Sequence, residues 1–272
     1  MRKLEIAEIK KIQLEILKVI DSYCLANSIK YSIAYGTLIG ALRHKGYIPW
    51  DDDIDIIMMR NDYDKFLKEF NFFDLRYAVV STESHPQYYA PYANVYMTNT
   101  ILEEDNNHWV RMGIKIDIFP IDHVPDNKYF RKFLFSLATV LKYLVGFRNE
   151  KSNKGKGKAH FICASVSKLL LGNSNPSLFL SNLARWSNKK FKKSNSINNL
   201  VWCAAGERAT FSVSDFKMVK RFQFEDSMFN VLNGYHTFLS NHYGNYMQLP
   251  PVEKRRSNHT FQAWIKDEVI EG

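Results

Sequence analysis

Apolar residues near the start of the chain recur at helical spacing. Ile9, Ile12, Ile16, Val19, Ile20 and Tyr23 fall on one face, so residues 4–27 predict an opening amphipathic helix. The period then shortens. KYSIAY (30–35) is aromatic and β-branched and reads as a strand that Gly36 ends, and Thr37 is placed to cap a short helix, TLIGALRH, which stops near Gly46. After a loop containing Pro49, DIDIIMM (53–59) alternates Asp with Ile and predicts a strand, and Asn61 or Asp62 caps the next helix. RYAVV (76–80), YANVYM (92–97) and TILEE (100–104) read as further strands. In GIKIDIFPID (113–122), Ile114, Ile116 and Ile118 face one way and Lys115, Asp117 and Phe119 the other, with Pro120 expected to end the strand.

From 128 the pattern turns to long helices: YFRKFLFSLATVLKYLVGF, HFICASVSKLLL and SLFLSNLARWSNKKF. Between the first two, NEKSNKGKGK reads as a Gly/Lys-rich linker. Residues 199–224 hold short strand-like pieces and a turn at Gly206, and a helix is expected near 226–241. No internal repeat is present. The organisation predicted is a core from 1–127, a helical basic lobe from 128–198, and a C-terminal part from 199–272 that completes the site.

Charge sharpens this division. Residues 128–193 hold 15 Lys/Arg against one acid, Glu150, hence +14; the whole chain is +9, so the remainder carries −5. Such a lobe is either a solvated basic face or a surface for an anionic partner: nucleic acid, a phosphorylated substrate or a membrane. YFRKFLFSLATVLKYLVGF carries Arg131, Lys132 and Lys142, with Arg148 just after it, and fits a membrane interface or the buried core of an inserted lobe. The three cysteines are scattered, with no zinc or disulfide spacing. With a charged N-terminus and no apolar run of spanning length, the expected location is cytoplasmic, with peripheral association at the inner face of the cytoplasmic membrane.

The chemistry concentrates in Tyr35–Met59, YGTLIGALRHKGYIPWDDDIDIIMM. Asp51, Asp52, Asp53 and Asp55 repel one another at this spacing unless a cation sits among them. On a strand, Asp53 and Asp55 project together and Asp51 extends the row, forming an oxygen-rich pocket suited to Mg²⁺ or Mn²⁺. Asp117, on another strand, is the natural third carboxylate. Gly36 and Thr37, at a strand-to-helix junction, offer close backbone and a hydroxyl to a phosphate. Arg43, His44 and Lys45 follow where they can meet anionic oxygen, and Trp50 and Tyr47 border the aspartates, either stacking on a ligand or wedging the loop against the core. Near the C-terminus, Pro250-Pro251 stiffens the lead-in to Arg255, Arg256 and His259, which can reach phosphate. Glu207 and Arg208 are weaker candidates, and Asp122 reads as a turn residue after Pro120.

This order of strand, Gly-Thr, helix, Asp-rich strand and later strand Asp resembles the nucleotidyltransferase-fold superfamily. More closely, GTLIGALRHKGYIPWDDDIDI, IDIFPID (116–122) and YGNYMQLPP (243–251) resemble the LicD family of bacterial phosphocholine transferases, related to fukutin and the fukutin-related protein. Thr37 stands where the superfamily usually has serine, and HKGYIPWDD lengthens the gap to the aspartates. The resemblance implies an α/β (α+β) fold with a mixed β-sheet flanked by helices. It implies that Asp53, Asp55 and Asp117 bind the metal, with Asp117 alternatively the general base, and that Asp51 is a further ligand or orients the others. Gly36, Thr37 and Arg43 would hold the donor pyrophosphate. The implied reaction moves phosphocholine, or another phospho-alcohol, from a CDP-alcohol to a cell-surface glycan hydroxyl of lipopolysaccharide, teichoic acid or capsule, releasing CMP. Two alternatives are a nucleotidyltransferase that releases pyrophosphate and a non-catalytic nucleic-acid-binding protein. The second leaves the aspartates unexplained, and nucleic acid is not an expected partner.

Overall fold

The computed structural model describes residues 1–104, 112–149, 172, 174–202, 205–257 and 261–266. The linker from 150 onward, the helix expected at HFICASVSKLLL, and His259 lie outside the described residues. A two-residue strand β1 (Arg2–Lys3) leads into helix α1 (Ile6–Ala26). Its start is closed by a capping box in which Glu8 accepts the Glu5 backbone N–H. The helix buries Ile9, Ile16, Ile20 and Tyr23, the face its sequence spacing marks.

The chain continues through β2 (Tyr31–Ile33), α2 (Tyr35–Arg43), β3 (Asp55–Met59), α3 (Arg60–Glu69), β4 (Tyr77–Val80), β5 (Ala93–Met97), β6 (Thr100–Glu104) and β7 (Lys115–His123). Helices α4 (Lys128–Asn149) and α5 (Pro176–Lys190) precede β8 (Ser196–Asn198) and β9 (Phe211–Ser212). The principal sheet has the order β2-β3-β7-β5-β4, with β8 paired to β7 and β9 to β8. β3 and β7 run parallel and the other pairs antiparallel, so the sheet is mixed. Helices pack around it, as expected for an α/β (α+β) fold.

Three elements differ from the sequence reading. Pro120 does not end its strand: β7 runs on to His123. The Asp117 N–H donates to the Ile54 carbonyl, so odd-numbered donors of β7 face β3 and Pro120 faces the other edge. There β5 pairs only as far as Ile118 and β8 begins at Asp122, so no ladder bond is lost at the proline. Asp122 is therefore a strand residue. It is fully buried and takes two hydrogen bonds from the Arg60 guanidinium, at 2.7 and 2.8 Å. The first half of the helix expected near 226–241 is instead β11 (Ser227–Leu232), hairpinned to β10 (Val219–Phe224) in the stretch where strand-like pieces were expected, and the second half forms as a helix at Tyr235–Tyr243. β11 buries four successive residues, so neither period shows, and the turn holds Glu225 rather than glycine at φ +54°.

Helix α4 buries Leu134, Phe135 and Ala138, and α5 buries Leu180 and Ala184, in the same core that holds β3 and β7. β12 (Phe261–Ile265) joins β1 to β6 in a small second sheet, bringing the two ends of the chain together. No helix among the described residues is long and apolar enough to cross a membrane.

Candidate active site

Tyr35 turns the chain from β2 into α2 with φ +47°, a left-handed conformation that costs a non-glycine residue on the order of 1 kcal/mol. Its surroundings hold it there. The ring packs edge-on to Phe119 at 5.5 Å and to His242 at 5.2 Å, and Asn199 Nδ2 donates to its hydroxyl at 2.8 Å. The helix thus begins before Thr37, which is not its cap. Thr37 Oγ1 instead accepts the Asp55 backbone N–H at 2.9 Å, which leaves the hydroxyl hydrogen to donate. A Cβ on Gly36 would lie 2.3 Å from Asp51 Oδ2. Only glycine leaves room for that carboxylate against the start of α2.

The strand of aspartates starts later than its sequence alternation implies. The Asp51 N–H donates to the Ile48 carbonyl at 2.9 Å, so the chain turns there, and β3 begins only at Asp55. Carboxylate oxygens of Asp51, Asp52 and Asp53 consequently lie within 4.8 Å of one another. The set read from the sequence was Asp53, Asp55 and Asp117. Asp52 is buried, takes a hydrogen bond from the Ser257 hydroxyl, and has its carbonyl held by Gln13 Nε2 at 3.0 Å.

Asp55 and Asp117 adjoin this group as direct neighbours on the two parallel strands. Burial, then the charges of Asp53, Asp117 and Asp51, push the Asp55 carboxyl well above the usual carboxylate range, and Lys115 only partly offsets them. Asp117 is held by two residues that the sequence did not single out. Asn94 Nδ2 donates to Asp117 Oδ1, and Lys115 Nζ stands 3.9 Å from the same oxygen. Asn94 in turn accepts from the Tyr88 hydroxyl. The sequence signals for these two were that Lys115 shares a strand face with Asp117, two residues away, and that Asn94 lies on a strand of its own. Hard oxygen donors crowded closely enough to raise the Asp55 carboxyl fit Mg²⁺ or Mn²⁺.

Beside the acids lies a cationic and aromatic group. The Trp50 ring has His44 edge-on at 6.3 Å and the Arg255 guanidinium 5.5 Å from its centroid. Arg43 Nη1 donates to the carbonyls of Tyr246 and Gln248 at 3.1 and 3.3 Å, while its Nε is buried without a hydrogen-bond partner among the described residues. Burial, then the nearby charge of Arg255, lowers the Arg43 pKa from its usual value. Burial, then Arg43, does the same to His44. Cations crowded this way favour an anion between them. Tyr47 is turned from the site: its hydroxyl donates to the Lys10 carbonyl at 3.0 Å and its ring packs on Phe224. Glu225, in the unforeseen hairpin turn, accepts the Tyr47 N–H at 2.9 Å and so steadies the loop that carries Trp50. The structure therefore brings together Gly36, Thr37, Asp51, Asp53, Asp55 and Asp117, and, alongside them, Arg43, His44, Trp50 and Arg255. Arg256 is exposed and makes no hydrogen bond or ion pair with either group among the described residues, and His259 lies outside them.

Residues 28–141 match the family described as LicD/FKTN/FKRP, nucleotidyltransferase domain. The chain is 31% identical to the lipopolysaccharide cholinephosphotransferase LicD of Haemophilus influenzae over 273 residues, covering 97% of this chain and 100% of that protein. An uncharacterized protein of Rickettsia typhi is 43% identical over 63 residues, 23% of this chain and 20% of that protein. One of Rickettsia prowazekii is 48% identical over 48 residues, 18% of each.

Proposed function

The chain belongs to the LicD family, and from that premise we propose that it transfers phosphocholine from CDP-choline to a hydroxyl of a cell-surface glycan, releasing CMP. The observation that carries the reading is that two groups of opposite sign lie side by side: the aspartates around Asp55 and Asp117, and the cations Arg43 and Arg255, with His44, around Trp50, joined where Trp50 precedes Asp51 and where Ser257, two residues after Arg255, donates to Asp52. A nucleoside diphosphate ester needs both, because its phosphates are anionic and its chemistry is metal-assisted.

Asp51, Asp53, Asp55 and Asp117 would hold a divalent cation, which when bound polarises the diphosphate and neutralises charge on the departing CMP. Arg255 and Arg43 receive phosphate oxygens, relieving their mutual repulsion. Trp50 offers a ring face to the cytosine or to the quaternary ammonium of choline. Thr37 retains a hydroxyl hydrogen for a phosphate oxygen, and Gly36 keeps Asp51 beside it. Asp117, oriented by Asn94 and Lys115, is the base that accepts the acceptor hydroxyl's proton during in-line attack on the distal phosphorus. The acceptor is a glycan built at the inner face of the cytoplasmic membrane.

The test is product identity. Purified chain with Mg²⁺, CDP-choline and a lipopolysaccharide acceptor should yield CMP and a phosphocholine-bearing glycan. Pyrophosphate release with a nucleotide on the acceptor would replace this reading with nucleotidyl transfer. A panel of CDP-alcohols under the same conditions identifies the preferred donor.

A further inference from the structure

Helix α4 is apolar on two sides, and only one of them faces the core. Opposite Leu134, Phe135 and Ala138 it exposes Tyr129, Phe133, Val140 and Tyr143, at 85%, 63%, 55% and 66% of their full surface. The surface continues onto α5 and the residues after it. The Phe130 and Trp186 rings both meet Phe191, at 5.6 and 5.9 Å, and Trp186 is itself exposed. Large apolar side chains concentrated on one face mark an interaction surface rather than a solvated one.

Its rim decides the partner. Lys128, Lys132, Lys189, Lys190, Lys192 and Lys193 are all exposed beside these rings. Glu150 is the one acid between residues 128 and 193. A second copy of the chain docking here would oppose two basic surfaces. Lipid headgroups instead offer phosphate to the lysines and an acyl boundary to the rings, where Trp and Tyr favour the interface.

We propose that this face of α4 and α5 docks on an anionic lipid surface, with Tyr129, Phe133, Val140 and Tyr143 entering the headgroup boundary and the lysines contacting lipid phosphate. The proposal does not depend on the phosphocholine reading, although a lipid-borne glycan would be met along the same surface.

Flotation of the full chain with vesicles, without donor or acceptor, tests it. Binding is expected to vesicles containing phosphatidylglycerol, to be weaker to pure phosphatidylcholine, and to fall as salt rises. Phe133→Ser with Tyr143→Ser should weaken binding roughly tenfold or more while leaving its salt dependence. Replacing Lys189, Lys190, Lys192 and Lys193 with Gln should flatten that dependence. Both variants alter exposed side chains, so circular dichroism and turnover on a lipid-free glycan fragment should match the parent. Failure of the parent to float at low salt overturns the proposal, as does parental affinity in the Phe133/Tyr143 variant. A parent that sediments as a dimer, with that variant monomeric, would assign the face to a second copy instead. CMP release is measured separately, so loss of either property leaves the other standing.

Discussion

Asp55 and Asp117 face each other as direct partners on β3 and β7, at the start of the two parallel strands of the sheet. Each backbone is pinned at this point: the Asp55 N–H by the Thr37 hydroxyl and the Asp117 N–H by the Ile54 carbonyl. Two carboxylates placed side by side with burial on one of them are held at a cost in repulsion, which is characteristic of sites that bind a cation.

Asp55→Asn and Asp117→Asn should each lower turnover by roughly 10²–10⁴, while the thermal midpoint without added metal holds or rises because one of two like charges is gone. Mg²⁺ should raise the parent's midpoint and raise these variants' less. Turnover close to that of the parent in either variant would remove the two aspartates from the chemistry.

Gly36→Ala places a Cβ where Asp51 Oδ2 now lies. Displacing that carboxylate should cost about 1–3 kcal/mol of stability and lower metal affinity by roughly tenfold or more. Calorimetric titration with Mn²⁺ checks the second effect. Unchanged affinity would show that Asp51 takes no part in holding the metal.

The Arg60–Asp122 pair is buried on both sides. Asp122→Asn leaves the buried Arg60 guanidinium with only the part-exposed Asp64, 3.8 Å away, as counter-charge and should cost about 3–5 kcal/mol, whereas Arg60→Met with Asp122→Leu should cost less. Urea unfolding midpoints compare them. Equal losses would mean that the apolar pair does not pack in the space the ion pair fills.

Glu83 gives a pH signature remote from the aspartates. Burial raises its carboxyl, but the Arg185 charge and hydrogen bonds from Arg185, Ser181 and Ser81 more than reverse this, bringing it down to about 2. A depressed carboxyl stabilises the fold above its unfolded value of about 4.5 and loses that contribution as pH falls toward 2. Glu83→Gln should therefore be less stable than the parent by about 1–3 kcal/mol near neutral pH, with the gap closing between pH 4.5 and 2. Denaturant titrations across that range test it, and a gap independent of pH would rule out the ion pair as its source.

Much of this architecture was legible because it follows local periods. The stripe of α1, the strand at DIDIIMM and the strand carrying Asp117 were visible from residue spacing alone. What escaped depended on partners distant in sequence. Pro120 could stay in β7 only because β5 stops pairing at Ile118. Asp122 became structural because Arg60 reaches it from 62 residues earlier in the chain. Strand β11 was obscured by burial on both faces, and its hairpin with β10 by a glycine-free turn. Around the candidate site, the residue types at Asp51, Asp53, Asp55 and Asp117 announced a cation. Their grouping into Asp51–Asp53 and Asp55–Asp117 depended on a turn at Ile48–Asp51 that composition does not encode. Asn94 was invisible as a partner until the strand register was known, whereas Lys115 already shared the Asp117 face two residues away.

The segment from Tyr246 to Ser257 closes on the loop before β3 through Arg43, Trp50 and Asp52. During translation Asp51, Asp53, Asp55 and Asp117 leave the ribosome well before Arg255 and Ser257 do. A nascent chain that has reached only α4 and α5 therefore carries the four acids of the site without the partners that close on Trp50 and Asp52.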